Sequence, residues 1–316
     1  MLLQTNIPFV KEAYNPINYN SKICLLGSCF SEHIGKKLAY YKFKTFQNPL
    51  GILFHPKAIE NVILKAINQE KYTEADIFFA NERWHCFEAH SELSNADKNV
   101  LLQNLNTAVA ETYKYILTAS HIIITLGTAW TYRHIETDML VANCHKVPQK
   151  QFLKEILSVD EVAASVENCI VLLKNINPKI TVLFTVSPVR HTKDGFVENQ
   201  RSKAHLVAGI HQHISKRHLV HYFPSYELMM DELRDYRFYA ADMIHPNKIA
   251  VDYIWEKFQY AWISHESEQT MNTVEAIQKG LAHKPFNPNS VQHQQLLANL
   301  QTKMAQLQAQ FPFMKF

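Results

Sequence analysis

Ile23-Cys24-Leu25-Leu26-Gly27-Ser28-Cys29-Phe30 decides the fold. An apolar run reaches a glycine, then a serine, and a helical repeat begins at once with Phe30, Ile34 and Leu38 on one side. An apolar run this short, without polar alternation, reads as a strand buried on both faces. Such strands belong to parallel sheets covered by helices. Gly27 then makes the turn from strand to helix, and Ser28 opens the helix as a good N-cap. Open α/β sheets bind ligands beyond the carboxyl ends of their strands, which is where this places the Ser28 hydroxyl.

Working outward, Ile122–Gly127 (IIITLG) and Ile180–Val186 (ITVLFTV) repeat the pattern. Leu219–Phe223 is a fourth strand and Lys42–Phe46 a fifth. Helical spacings fill the gaps: Leu102, Leu105, Val109, Tyr113 and Ile116, then Val162, Val166, Ile170 and Leu173, then a helix over Asn199–His218. Pro246 stands at a first helical position, followed by Ile249, Tyr253 and Phe258. The alternation predicts a doubly wound α/β domain. Residues 77–90 and 131–147 interrupt it as inserts, the second resembling a hairpin. From about Glu266 the composition changes. Ser290–Gln310 is rich in Gln, with Leu296, Leu297, Leu300, Met304 and Leu307 at helical spacing. We expect a domain over residues 1–262 and a C-terminal helical extension over 263–316, docked on the core or on a partner, so an oligomer through that helix is open. Its polar face carries Gln where a membrane-surface helix carries Lys and Arg.

Composition narrows the function classes. The 316 residues are 47% hydrophobic with 18 Phe and 14 Tyr, which excludes a disordered chain. The formal net charge of +3 gives no basic stripe for nucleic acid. GxGxxG and GxxxxGK are absent, so no nucleotide cofactor is expected. No apolar run reaches membrane-spanning length and the opening residues lack a signal-peptide pattern, so we expect a cytoplasmic protein. Cys24, Cys29, Cys86, Cys144 and Cys169 are odd in number, without a CxxC pair; they read as free thiols in a reducing compartment. No metal site is expected, since His211 and His213 face apart on a helix. Cys29 is expected to be buried against the sheet, about 100° round the helix from Ser28.

The second chemical feature is Ala241-Asp242-Met243-Ile244-His245-Pro246-Asn247. The residue before a proline is biased to extended backbone. A carboxylate three residues upstream can hold an imidazole N–H, fix its tautomer and stabilise the imidazolium. Serine needs such a base to be a nucleophile. Ser28 and the Asp242–His245 loop follow the first and last strands, whose junctions open on one face. Arg190 and His191 follow a strand end and are candidates to touch substrate.

Gly27-Ser28-Cys29-Phe30 resembles the GSCF signature of the GSCFA domain, a branch related to the SGNH/GDSL hydrolases. The resemblance covers most of residues 1–260. It includes Asn48-Pro49-Leu50-Gly51-Ile52-Leu53-Phe54, Leu126-Gly127-Thr128-Ala129-Trp130, Val186-Ser187-Pro188-Val189-Arg190-His191, Leu233-Arg234-Asp235-Tyr236-Arg237-Phe238-Tyr239, and Asp242–His245. It implies a flavodoxin-like three-layer α/β/α sandwich and a cofactor-independent serine hydrolase of esterase or deacetylase type. The substrate would be a small-molecule or carbohydrate ester. Ser28 resembles the nucleophile, His245 the base and Asp242 its support. The Ser28 and Gly51 N–H groups would face the oxyanion. The sequence departs from the SGNH pattern at Ala129, where asparagine is expected; Thr128 and Asn143 are the candidate replacements. An acyltransferase with the same triad, and a non-catalytic carbohydrate- or acyl-binding protein, are the alternatives. Gly27, Gly51 and Gly127 are three of only 7 glycines, and they mark positions of unusual backbone or close approach.

Overall fold

The computed structural model describes residues 5–215 and 218–316. Residues 1–4 and positions 216–217 of the expected Asn199–His218 helix lie outside the described residues. Five parallel strands form the central sheet: β1 (Lys22–Gly27), β2 (Lys44–Gln47), β5 (His121–Leu126), β9 (Thr181–Val186) and β10 (Val220–Phe223). Their spatial order is β2-β1-β5-β9-β10, the flavodoxin-like order in which the chain reverses direction between β1 and its other neighbour. All five follow the apolar runs within two residues at each end.

Alternate residues of the strands feed two separate cores. Cys24, Leu26, Ile122, Ile124, Val182 and Phe184 pack against α2 (Pro56–Asn68), α3 (Lys98–Thr118), α4 (Val159–Ile176) and α5 (Phe196–His211). Ile23, Leu25, Ile123 and Leu183 face the other way, onto α1 (Cys29–Tyr40) and α7 (Lys248–Trp262). A sheet that is apolar on both faces must be covered on both, and here it is.

Two inserts carry small antiparallel sheets. β3 (Phe78–Ala80) pairs with β4 (Arg83–His85), and β6 (Trp130–His134) lies between β7 (Met139–Val141) and β8 (Phe152–Ile156). The single turn α6 (Ser225–Glu227) follows β10. The C-terminal part is α8 (His265–Ala282) and α9 (Val291–Gln310). Leu300, Leu307 and Met314 are buried in the same cluster as Met271, Val274 and Ile277, so the extension docks on its own chain's core.

Local expectations need three corrections. The helix expected over 199–218 runs over 196–211. Pro246 is not a first helical residue: Asn247 is the N-cap, its side chain accepting from the Ala250 N–H at 3.1 Å. The buried face of α7 is Ala250, Val251, Ile254, Trp255 and Phe258, leaving Ile249 exposed. Among the described residues no helix is long and apolar enough to cross a membrane.

Candidate active site

The site is built where β1 and β5 end side by side. Gly27 has φ +129°, and a Cβ there would lie 2.1 Å from the Thr125 carbonyl oxygen, so only glycine fits. Ser28 follows as N-cap of α1, with extended backbone. Its hydroxyl accepts from the Phe30 N–H at 3.4 Å, and its own N–H donates to Thr125 O at 3.0 Å. Ser28 has no exposed surface.

The loop after β2 straps the two strand ends together. Asn48 accepts the Gly27 N–H at 2.9 Å, and Leu53 N–H donates to Gly27 O at 3.0 Å. Phe54 O accepts from both Gly127 (2.7 Å) and Thr128 (3.1 Å). Gly127 thereby sits hard against Ser28: a Cβ there would be 3.2 Å from the Ser28 Cβ. Gly51 has φ +77°, and its N–H donates to Asn48 O at 2.8 Å. The N–H groups of Ser28 and Gly51, expected to face an oxyanion, therefore both have carbonyl partners in this conformation.

Asp242 and His245 come together as expected. Asp242 Oδ1 accepts the N–H groups of Ile244 (2.9 Å) and His245 (3.0 Å), and Oδ2 accepts His245 Nδ1–H at 2.7 Å. Met243 takes a left-handed φ of +59° to make the turn. Hydrogen bonds from the His245 and Ile244 backbone, then from the His245 ring, hold the Asp242 carboxyl down at about 2. With Nδ1 donating, His245 Nε2 carries the lone pair, the tautomer a general base needs. The two side chains are 45% and 46% exposed, a pair open to solvent. No hydrogen bond joins Ser28 to His245 among the described residues. The loop nevertheless reaches the same end of the sheet, where Arg190 N–H donates to Ile244 O at 3.2 Å. Burial, then the charges of Lys203 and His245, push His191 down to about 3.

Beside this lies a cleft of about 290 Å³, lined by Phe54, Thr128, Trp130, Tyr132, Asn143 and His191 among others. The three-stranded insert sheet supplies its aromatic wall. His191 meets Phe54 edge-on at 5.6 Å between ring centroids, and its buried Nε2 has no partner among the described residues. Asn143 accepts the His145 N–H at 2.8 Å through Oδ1, leaving its Nδ2 free of protein partners among the described residues. The Thr128 hydroxyl pairs with Ser202 Oγ at 3.0 Å and accepts from the Trp130 N–H at 3.0 Å. Arg190 is elsewhere. Its guanidinium lies 4.3 Å from the Tyr239 ring centroid and near Tyr236 and Phe196, bounding a different pocket. Cys29 is half-buried at the first position of α1, where it was expected to be buried; burial raises its thiol against the pull of Lys203.

Three polar residues that hold the backbone beside the site escaped the sequence reading: Asn199, Ser202 and Lys203, on one face of α5. Asn199 Oδ1 accepts the His191 N–H at 2.8 Å. Ser202 Oγ accepts the Ala129 N–H at 2.7 Å. Lys203 Nζ donates to Gly127 O and Ser187 O, both at 2.7 Å, with 1% exposure. Their signal was there to find, as three polar residues at i, i+3 and i+4 on the face that Leu206 and Ile210 continue into the core. Among the described residues, no group of three or more His, Cys, Asp or Glu gathers as metal ligands.

A profile of the GSCFA family matches residues 22–258, and one of the GSCFA domain protein, C-terminal domain, matches residues 274–316. No curated protein matches the chain. Among solved structures it is similar to a carbohydrate esterase family 3 from Talaromyces cellulolyticus, at 9% identity and TM-score 0.36, over 81% of this chain and 98% of that one. It is also similar to an acetyl esterase mutant solved with an acetate ion, at 11% identity and TM-score 0.35, over 80% of this chain and 99% of that one.

Proposed function

The chain belongs to the GSCFA family, and from that premise we propose a serine hydrolase of esterase or deacetylase type. The observation that carries the reading is the Asp242–His245 pair, with one carboxylate oxygen on the imidazole N–H and the other on the backbone beneath it. That arrangement supports a base whose free nitrogen is Nε2.

In the reaction, Ser28 Oγ attacks the ester carbonyl carbon while His245 Nε2 takes the hydroxyl proton. The tetrahedral oxyanion collapses, and His245 returns the proton to the departing alcohol. Water, activated by the same nitrogen, then releases the acid from the acyl-enzyme. Asp242 stays ionised throughout and supports the imidazolium. Ser28 is covered in this conformation, so attack requires the cover to open; catalytic hydrogen bonds commonly close up only in the substrate complex. The free Nδ2 of Asn143 and the hydroxyl of Thr128 are our candidates for oxyanion donors. The Asn143 and His191 donors beside the Trp130 and Tyr132 rings suit a hydroxyl-rich alcohol, which supports an O-acyl carbohydrate as substrate. Five free cysteines support a cytoplasmic setting.

Ser28→Ala should abolish hydrolysis of an aryl acetate while leaving the unfolding midpoint in place. Parental activity in the variant would sink the assignment. An acyltransferase would instead show slow hydrolysis that an added sugar or alcohol accelerates. One observation favours a non-catalytic binding protein: Ser28 is fully covered and its N–H is engaged. That reading predicts no fluorophosphonate labelling of Ser28, together with thermal stabilisation by acylated sugars.

A further inference from the structure

A lysine is among the residues least often found fully buried, because its charge loses hydration with nothing to replace it. Lys203 is buried within α5, and its ammonium is satisfied by two main-chain carbonyls, Gly127 O and Ser187 O, both at 2.7 Å. Gly127 follows the last residue of β5 and Ser187 the last residue of β9, so one cation bridges the carboxyl ends of neighbouring strands. Gly127 also packs against Ser28, where an added Cβ would lie 3.2 Å from the Ser28 Cβ. The neighbouring Ser202 holds Ala129 N–H and Thr128 Oγ1. All three residues of the turn after β5 are thus tied to a single helical face.

We propose that Lys203 is a positioning residue for the Ser28 site: it holds the Gly127–Ala129 turn against Ser28 by gripping the carbonyls of Gly127 and Ser187. The proposal rests on the reading of Ser28 as nucleophile, because that is what makes the position of Gly127 matter. The groups facing the ammonium are Cys29 from α1, His191 from the loop after β9, and the Tyr226 ring from α6, centred 5.4 Å away. None of them is a carboxylate, so the cation has no counter-charge among them and its grip is on dipoles. Held that way, the amine fixes the direction of two peptide planes in either protonation state, since both forms keep an N–H for each carbonyl. Losing it frees both strand ends without emptying the cleft, so the effect should fall on the chemical step and spare substrate binding.

The test uses the full chain with Lys203→Met, which keeps the length and the apolar stem. Aryl acetate hydrolysis should show kcat lowered about 10- to 100-fold with KM within about twofold, the signature of lost alignment. Amide hydrogen exchange at Gly127, Thr128 and Ala129 should quicken at least about tenfold, while β1 stays protected. A parental kcat, a rise in KM without a fall in kcat, or parental exchange over Gly127–Ala129 overturns the proposal. Should Lys203→Met fail to fold, Lys203→Gln, whose stem is one atom too short to bridge both carbonyls, should show the same fall in kcat and the same faster exchange, and parental values in it overturn the proposal in the same way. If Ser28→Ala retains parental activity, the nucleophile reading is what has failed, and exchange at Gly127–Ala129 then decides Lys203 alone.

Discussion

Lys203 also makes a prediction about stability that needs no substrate. Burial pushes its ammonium from an ordinary 10.5 down to about 7, with Cys29 opposing the shift. In the unfolded chain the lysine keeps its proton to about 10.5, so between about pH 7 and 10.5 the unfolded state binds more protons than the folded one. Stability therefore rises with pH across that window, and is lost again as pH falls through the folded value. The slope is about 1.4 kcal/mol per pH unit for one proton, so the group contributes about 2.7 kcal/mol more stability at pH 9 than at pH 6. The neighbouring Cys29 thiol is raised and the His191 imidazole is lowered to about 3, so both stay neutral over most of the same range. Lys203→Met removes the titration, and groups away from Lys203 cancel between parent and variant. Urea unfolding at pH 6, 7, 8 and 9 should show the parent gaining on the variant by about 2.7 kcal/mol from the lowest to the highest pH. At any single pH the sign of the difference is set by a second competition. The variant is relieved of a buried charge, but it leaves two carbonyls unbonded at about 1–3 kcal/mol each. Parallel curves for parent and variant would refute the argument, because they would mean that the lysine is charged and solvated in both states.

Three further outcomes follow from the same geometry. His55 caps α2 through Nδ1, which accepts the Ala58 N–H at 3.1 Å, and burial lowers it from 6.5 to about 4; stability should fall as pH drops from about 6.5 to 4, and His55→Asn, which keeps a capping oxygen, should make that limb shallower by about one proton in urea titrations. Gly27→Ala drives a Cβ to 2.1 Å from Thr125 O at a φ of +129°, so it should cost more than about 3 kcal/mol or prevent folding, measured by yield and thermal unfolding; a variant within about 1 kcal/mol of the parent would contradict it. Asp242→Asn should lower kcat on an aryl ester by about 10²-fold or more with little change in unfolding midpoint, since the pair is exposed; unchanged kcat would remove Asp242 from the reaction.

The fold was legible because its signal is made of long-lasting patterns. Ile23–Gly27, Ile122–Gly127 and Ile180–Val186 are apolar on both faces, and only a sheet covered on both sides hides them. Asp242 and His245 were legible for a different reason: three residues apart, they form their bond inside one turn. What sequence could not supply was anything decided by distant partners. The Ser28 and Gly51 N–H groups looked available until Thr125 O and Asn48 O appeared opposite them. Arg190 looked like a substrate contact until Tyr239 and Tyr236 closed over it, and a cation over an aromatic face leaves no local trace in sequence.

Ala129 shows how the two kinds of information combine. Against the SGNH pattern it reads as a missing oxyanion donor. In the structure its side chain is wholly buried in the apolar core beneath the sheet end, while its N–H is held by Ser202. A longer polar side chain there would have to be accommodated in a position with no exposed surface, at the cost of desolvating its amide. The turn after β5 is instead organised from behind, by Ser202 on Ala129 and Thr128 and by Lys203 on Gly127. Polar groups have not vanished from this corner of the sheet. They stand on the helix that supports the turn, and that makes α5 the element whose substitution should most sharply separate folding from the behaviour of Ser28.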